Sequence, residues 1–155
     1  MINTRNMLFA VAFICLAALG VALYLQHFKD MLPCPRCVIQ RYIFLGIALA
    51  CLLGLAFGKA KWGAYLALVG VLGGIAAAGK HLYILAHPGL SCGIDPMETW
   101  LNKIATAQYL PFLFRADGLC EDATAPFFGL SIPQWSMACY VLLGIGLVWA
   151  LARRK

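Results

Sequence analysis

Charge is what this sequence has least of. Lys, Arg, Asp and Glu together make 12% of its 155 residues, about half the share usual in a water-soluble domain. Hydrophobic residues make 63% and the mean hydropathy is +0.85. A chain this short cannot bury so much apolar surface in a core of its own, which excludes an ordinary soluble domain and leaves the remainder facing lipid. Acids are scarcer than bases, six against twelve. The sequence also carries no Rossmann-type glycine motif, no haem Cys-x-x-Cys-His and no flavin motif, so the familiar soluble redox carriers are not bound in their usual way.

What is present is length of apolar run. A spanning helix needs about 20 mostly apolar residues. Four stretches meet this or nearly so: about 7–26, 38–58, 62–86 and 134–151, the last ending at Arg153-Arg154-Lys155. Arg5 followed by an apolar run also resembles the start of a signal peptide. No small-x-small cleavage site follows and the run is long, so it is read as a retained helix. Basic residues near helix ends set orientation. Arg5, the Lys59/Lys61 turn and the C-terminal tail fall on one side, while Asp30, Asp95, Glu98, Asp117, Glu121 and Asp122 fall on the other. The expectation is a single integral membrane domain over 1–155 with both termini cytoplasmic and loops 27–37 and 87–133 facing outward. The net charge of +6 is then a topology signal, and no nucleic-acid binding is expected.

Depth sorts the seven cysteines. Cys15, Cys51 and Cys139 fall inside the spans, where a thiol is commonly a small hydrophobe. Cys34, Cys37, Cys92 and Cys120 all fall in the outward loops, on the face where disulfides persist if the compartment is a periplasm or cell exterior. The spacing of Cys34-Pro35-Arg36-Cys37 favours a local pair, which leaves Cys92 with Cys120. Two static disulfides or a metal site remain alternatives, because zinc and redox sites share Cys-x-x-Cys. Against metal, no His stands at ligand spacing beside Cys92 or Cys120, and no metal ligand is assigned.

Position favours redox chemistry. Cys37 lies in the first turn of the second span, where free N–H groups and the helix dipole stabilise a thiolate, and Arg36 and Arg41 add positive charge. Pro33 and Pro35 hold the approach extended. Arg41, four residues after Cys37, shares its helix face. A charge at that depth is disfavoured by up to about 3 kcal/mol; it either snorkels to the headgroups or serves a polar ligand beside Cys37. Farther on, Asp95-Pro96-Met97-Glu98 has the form of a helix start, with Met97, Trp100, Leu101 and Ile104 at helical spacing, Trp100 on the apolar face, and Pro111 as the stop. A short amphipathic helix in the interface plane is expected. Cys92 precedes it and Cys120 follows, so a loop pair is available to exchange with the fixed pair, sulfur to sulfur. Electrons gathered there need an outlet, and a fixed pair at the lipid boundary points to a lipid-soluble acceptor such as quinone. Gly70, Gly73, Gly74 and Gly79 in the third span are read as helix-packing positions.

The run Pro33-Cys34-Pro35-Arg36-Cys37-Val38-Ile39-Gln40-Arg41-Tyr42 resembles the Cys-x-x-Cys-x-x-x-Arg signature of the DsbB family, and Gly118-Leu119-Cys120 and Ile132-Pro133-Gln134-Trp135 are similar to its second outer loop and the start of its last helix. The resemblance covers essentially the whole chain. It implies an all-α membrane protein, a four-transmembrane-helix bundle with a short interfacial helix in the second outer loop, in the bacterial inner membrane. It further implies a thiol:quinone oxidoreductase that reoxidises a periplasmic thioredoxin-fold oxidase, DsbA, and passes electrons to ubiquinone or menaquinone. Cys92 would take the partner's attack with Cys120 as its mate. Cys34 and Cys37 would be the quinone-proximal pair, with Cys37 in contact with the quinone, Arg41 supporting its binding and His81 near the same site. A quinone reductase resembling vitamin K epoxide reductase would carry its loop pair early and its membrane pair late, the reverse of the order here.

Overall fold

The computed structural model describes residues 4–87, 96–118 and 128–152, with the side chains of 96–98 excepted. Cys92, Cys120, the Asp95 cap and the Arg153-Arg154-Lys155 tail lie outside the described residues. The described residues are helical, without a strand. Four helices are long and apolar enough to cross a membrane, as a multi-pass membrane protein requires: α1 (Thr4–Phe28), α2 (Pro35–Ala56), α3 (Ala60–Ala86) and α7 (Ile132–Ala152). Three short helices, α4 (Pro96–Lys103), α5 (Ala105–Tyr109) and α6 (Pro111–Phe114), lie between α3 and α7.

The bundle core is small-residue packing around a few large side chains. Helix α2 packs on α3 and α1, and α3 on α7. In lipid there is no hydrophobic drive between helices, so close backbone approach carries the association. At the α2–α3 turn, a Cβ on Gly54 would lie 2.6 Å from Gly63 Cα, and one on Gly63 would lie 2.9 Å from the Ala50 carbonyl oxygen. Only glycine fits either place. Gly74 receives the ring of Tyr140, whose Cε1 stands 2.4 Å from where a Cβ would be, and Gly70 receives Ile47 at 2.7 Å. Gly79 meets Met137 at ordinary contact, whereas Gly73 meets nothing within 4 Å. The packing role expected of these four glycines therefore holds for Gly70 and Gly74, is slight at Gly79 and fails at Gly73, which faces outward. Phe13, Val69 and Leu142 also point out of the bundle, as a lipid-facing belt does. Thr4 Oγ1 donates to the Ala150 carbonyl at 3.5 Å, so α1 begins where α7 ends.

Local signals set the helix starts. Pro35 occupies the first position of α2, where its missing N–H costs nothing. Gln134 Oε1 accepts the N–H of Ser131 at 2.8 Å, one half of a capping box at the start of α7. Ahead of it, Phe128 and Gly129 have positive φ of 52° and 83°, turning the chain into that helix. The amphipathic helix expected after Asp95 is interrupted: Ile104 is extended (φ −67°, ψ 138°) and separates α4 from α5. Leu101 is buried and Trp100 exposed, so Leu101 makes the inward contact while Trp100 faces away from the bundle.

Candidate functional site

The site is built at the start of α2. Cys34 is the N-cap residue (φ −73°, ψ 162°), and its Sγ accepts the backbone N–H of Cys37 at 3.3 Å. A cap of this kind normally uses an oxygen; here a sulfur takes the orphan donor, a bond that gains strength when the sulfur carries charge. The sequence placed the benefit of the helix start on Cys37. The structure gives the N–H to Cys34 and leaves Cys37 half-buried one turn in. The two Sγ atoms stand 2.8 Å apart, so closing a disulfide of about 2.05 Å asks for a shift of less than an ångström.

Behind Cys34 runs a buried polar chain. His81 on α3 is fully buried, with Nε2 3.7 Å from Cys34 Sγ and Nδ1 3.4 Å from Gln40 Nε2. Tyr140 on α7 donates its hydroxyl to the Gln40 carbonyl at 3.0 Å and stacks on Phe44 at 4.3 Å. The two sulfurs and a ring nitrogen of His81 all lie within 4.8 Å of one another.

In front of Cys37 lies a cavity of about 510 Å³ between α1, α2 and α7, within the range of small-molecule sites. Its walls are mostly apolar, with Leu19, Ala22, Phe44 and Trp135 among them, and Cys37, Gln40 and Arg41 supply the polar contributions from α2. Cys139 also lines it, whereas Cys15, Cys51 and His81 do not. His81 reaches the pair through Cys34 instead.

Arg41 is buried and does not snorkel. Its Nη1 donates to Gln26 Oε1 at 2.7 Å and to the Leu113 carbonyl at 2.8 Å, and Nη2 donates to the Ala22 carbonyl at 3.3 Å. Nε has no hydrogen-bond partner, the one buried side-chain nitrogen or oxygen among the described residues left so. Arg41 lines the cavity, and a cationic side chain there suits a ligand that brings an acceptor oxygen.

The connection between α3 and α7 is fastened over this site. Val38, Ala107, Phe114 and Ala116 form a small second core. Tyr42 stacks on Phe114 at 4.2 Å and hydrogen-bonds Thr106. Asn102 pairs reciprocally with the backbone of Ala116, both bonds at 2.9 Å. Asp117 and Gly118 then donate to the Pro33 carbonyl at 3.2 and 3.1 Å, and a Cβ on Gly118 would stand 2.2 Å from the Leu32 carbonyl oxygen. The chain two residues before Cys120 is therefore docked on the backbone immediately before Cys34.

Of the residues singled out from the sequence, Cys34, Cys37, Arg41 and His81 converge at one end of the bundle, while Cys92 and Cys120 lie outside the described residues. Gln26, Gln40, Asn102 and Tyr140 were missed. Gln40 had a readable signal, since an amide inside an apolar span rarely lacks a partner; Asn102 in a polar connection had none.

Comparison with known proteins follows the same lines. A family model described as Disulfide bond formation protein DsbB matches residues 4–150. A protein named Disulfide bond formation protein B from Herminiimonas arsenicoxydans is 54% identical over 156 residues, covering 99% of this chain and 98% of its own. Proteins of the same name from Ralstonia nicotianae and Burkholderia pseudomallei are 43% and 36% identical, covering 99% and 97% of this chain and 97% and 91% of theirs.

Proposed function

The chain belongs to the DsbB family of disulfide bond formation proteins, and we propose that it acts there as a thiol:quinone oxidoreductase, reoxidising a periplasmic DsbA-like thioredoxin-fold oxidase and passing the electrons to ubiquinone or menaquinone. One observation carries this reading. The Cys34–Cys37 pair opens, through Cys37, onto an apolar cavity whose wall includes Gln40 and Arg41. A quinone is apolar with two carbonyl acceptors, and the residues present fit it: aliphatic and aromatic walls for the ring and tail, Arg41 for a carbonyl. The quinone supplies an acceptor for two electrons and two protons.

The protein's own steps are thiol–disulfide exchanges. A thiolate of the partner attacks the Cys92–Cys120 disulfide at Cys92, and the partner's second thiol resolves the mixed disulfide, leaving the partner oxidised and Cys92 and Cys120 as thiols. Those two thiols reduce the Cys34–Cys37 disulfide by the same chemistry. Two electrons and two protons then leave Cys34 and Cys37 on the cavity side, where Cys37 stands. The Gly118–Pro33 contact supports the inner exchange, because Cys120 is two residues from that dock and two residues span at most about 7 Å. Cys34 receives the helix N–H and the His81 ring, which suits a sulfur that must leave or attack as a thiolate. Basic residues at Arg5, Lys59 and Lys61 support a bacterial inner-membrane protein with cytoplasmic termini and the cysteine end outward.

The test is quinone absorbance during turnover of the purified protein with a reduced thioredoxin-fold oxidase and ubiquinone-1 or a menaquinone analogue. Oxidised quinone is expected to disappear, and Cys37→Ala and Cys92→Ala should each abolish the loss. Full-rate transfer by Cys92→Ser would overturn its role as entry point. No loss with either quinone, in folded protein offered several partners, would leave static disulfides or a metal site as the better account.

A further inference from the structure

The Cys34, Cys37 and His81 cluster has a chemistry that the exchange steps do not use. The Cys34–Cys37 pair has no histidine at the usual zinc-ligand spacing along the sequence. The fold supplies one from α3, 47 residues away. Two sulfurs and an imidazole nitrogen within 4.8 Å are a Cys₂His set of the kind that binds zinc with a fourth position open. The distances suit it. With zinc–sulfur bonds of about 2.3 Å and zinc–nitrogen of about 2.0–2.1 Å, tetrahedral angles put S and N about 3.6 Å apart and the two S atoms about 3.8 Å apart. Cys34 Sγ and His81 Nε2 are already at 3.7 Å, and the two Sγ atoms, at 2.8 Å, need to open by about 1 Å.

The supporting groups suit it too. Gln40 touches the other ring nitrogen of His81, the place where metal-binding histidines are oriented by an amide, carbonyl or carboxylate. Turned with its amide oxygen toward Nδ1–H, Gln40 leaves the Nε2 lone pair facing Cys34; which amide atom faces the ring is set by the hydrogen-bonding network. Cys37 lines the cavity, which gives a fourth ligand a way in. Charge argues the same way. Two thiolates together at the edge of an apolar bundle are costly, whereas a divalent cation with two thiolates is neutral.

We propose that, in the dithiol state, Cys34, Cys37 and His81 form a three-ligand site for a thiophilic divalent cation such as zinc, and that closing the Cys34–Cys37 disulfide destroys it. Binding releases two thiol protons and involves no change of oxidation state. A metal seated there occupies both sulfurs, so it blocks the pair's reoxidation until it leaves, and electron load on the protein determines its sensitivity to metal.

The experiment uses the full chain with Cys92→Ser and Cys120→Ser, so that the loop pair cannot bind, and contains neither quinone nor partner. Its failure therefore leaves the relay untouched. Cobalt(II) is titrated into the reduced protein. The expected result is a single equivalent bound, with thiolate-to-metal charge-transfer absorption and the visible bands of four-coordinate cobalt, displaced by zinc. The same chain oxidised to the Cys34–Cys37 disulfide should bind at least about 100-fold more weakly, a control that needs no further mutation. His81→Ala should weaken binding by about 10- to 100-fold, the scale seen even for outer-shell losses, and His81→Cys should restore it. Absence of the charge-transfer band, equal binding by the oxidised chain, or full affinity in His81→Ala would each overturn the proposal.

Discussion

Gly118 offers the sharpest test of how the connection between α3 and α7 serves the cysteine pair. In Gly118→Ala the new Cβ would stand 2.2 Å from the Leu32 carbonyl oxygen and 2.7 Å from its carbon. Both are backbone atoms, so no rotamer change relieves the clash, and the strands of chain must separate by about 1 Å to reach ordinary contact. The hydrogen bonds from Asp117 and Gly118 to the Pro33 carbonyl start at 3.2 and 3.1 Å, and a shift of that size takes both out of bonding range. At about 1 kcal/mol each, the docked arrangement loses about 2 kcal/mol, a factor of about 30. The helix bundle is untouched, so its thermal midpoint should stay nearly constant. Amide exchange at 117 and 118 should accelerate, since local opening sets it. Rapid mixing separates the inner exchange from the quinone step: reduction of the Cys34–Cys37 disulfide by the Cys92 and Cys120 thiols should slow by up to about 30-fold, while quinone oxidation of a pre-reduced Cys34–Cys37 pair keeps its rate. Gly20→Ala, where a Cβ meets nothing within 4 Å, is the control. A wild-type rate of transfer from the loop pair to the Cys34–Cys37 pair in Gly118→Ala, or equal slowing of that transfer and of the quinone step, would refute a docking role.

Four further outcomes are expected. Arg41→Lys keeps the charge but cannot reproduce a fork that reaches Gln26, Ala22 and Leu113; the apparent KM for ubiquinone-1 should rise about 10-fold, the worth of one charge-assisted bond, in a steady-state quinone assay. Gly54→Val forces apart the Gly54–Gly63 contact and should cost about 1–3 kcal/mol or more, read as a lower thermal midpoint in detergent. Tyr140→Phe removes one hydrogen bond to the Gln40 carbonyl while keeping the Phe44 stack, and should cost about 1 kcal/mol with turnover changed by less than about threefold. Cys15→Ala and Cys51→Ala delete thiols that do not line the cavity beside Cys37, and quinone turnover should match the parent in each.

The features legible in the sequence were those written along one helix or one run. Four apolar stretches are visible as stretches because lipid demands length and apolarity together. Arg41 was visible as an anomaly, a cation four residues beyond Cys37, but its partners were not. Gln26 and Ala22 come from α1, and Leu113 lies 72 residues away. The snorkelling alternative failed for that reason: three acceptors inside the protein hold the two Nη atoms in place of headgroups. His81 was placed near the site by resemblance alone, and the sequence could not have put its ring on Cys34 rather than on the cavity wall. The break at Ile104 was hidden because the apolar stripe through Met97, Trp100, Leu101 and Ile104 runs straight across it.

The division of labour around α2 follows from how helices associate in lipid. With no hydrophobic drive between α2, α3 and α7, their register must be fixed by close packing and interhelical hydrogen bonds. The chain from Tyr140 through Gln40 and His81 to Cys34 does this with one residue each from α7 and α3. Its members must all be in place, because a buried polar group left unmet costs about 1–3 kcal/mol. The cavity, in contrast, is walled by α1, α2 and α7. Only α2 and α7 belong to both, and only α2 carries the Cys34–Cys37 pair. Cys34 therefore sits where the polar chain holds it, and Cys37 sits one turn along, where the cavity opens. A pair set on two different helices would have its sulfur separation change with every shift in helix packing. Set on the first turn of one helix, the 2.8 Å separation is held by backbone geometry, and the surrounding bundle can adjust to a ligand without pulling the pair apart.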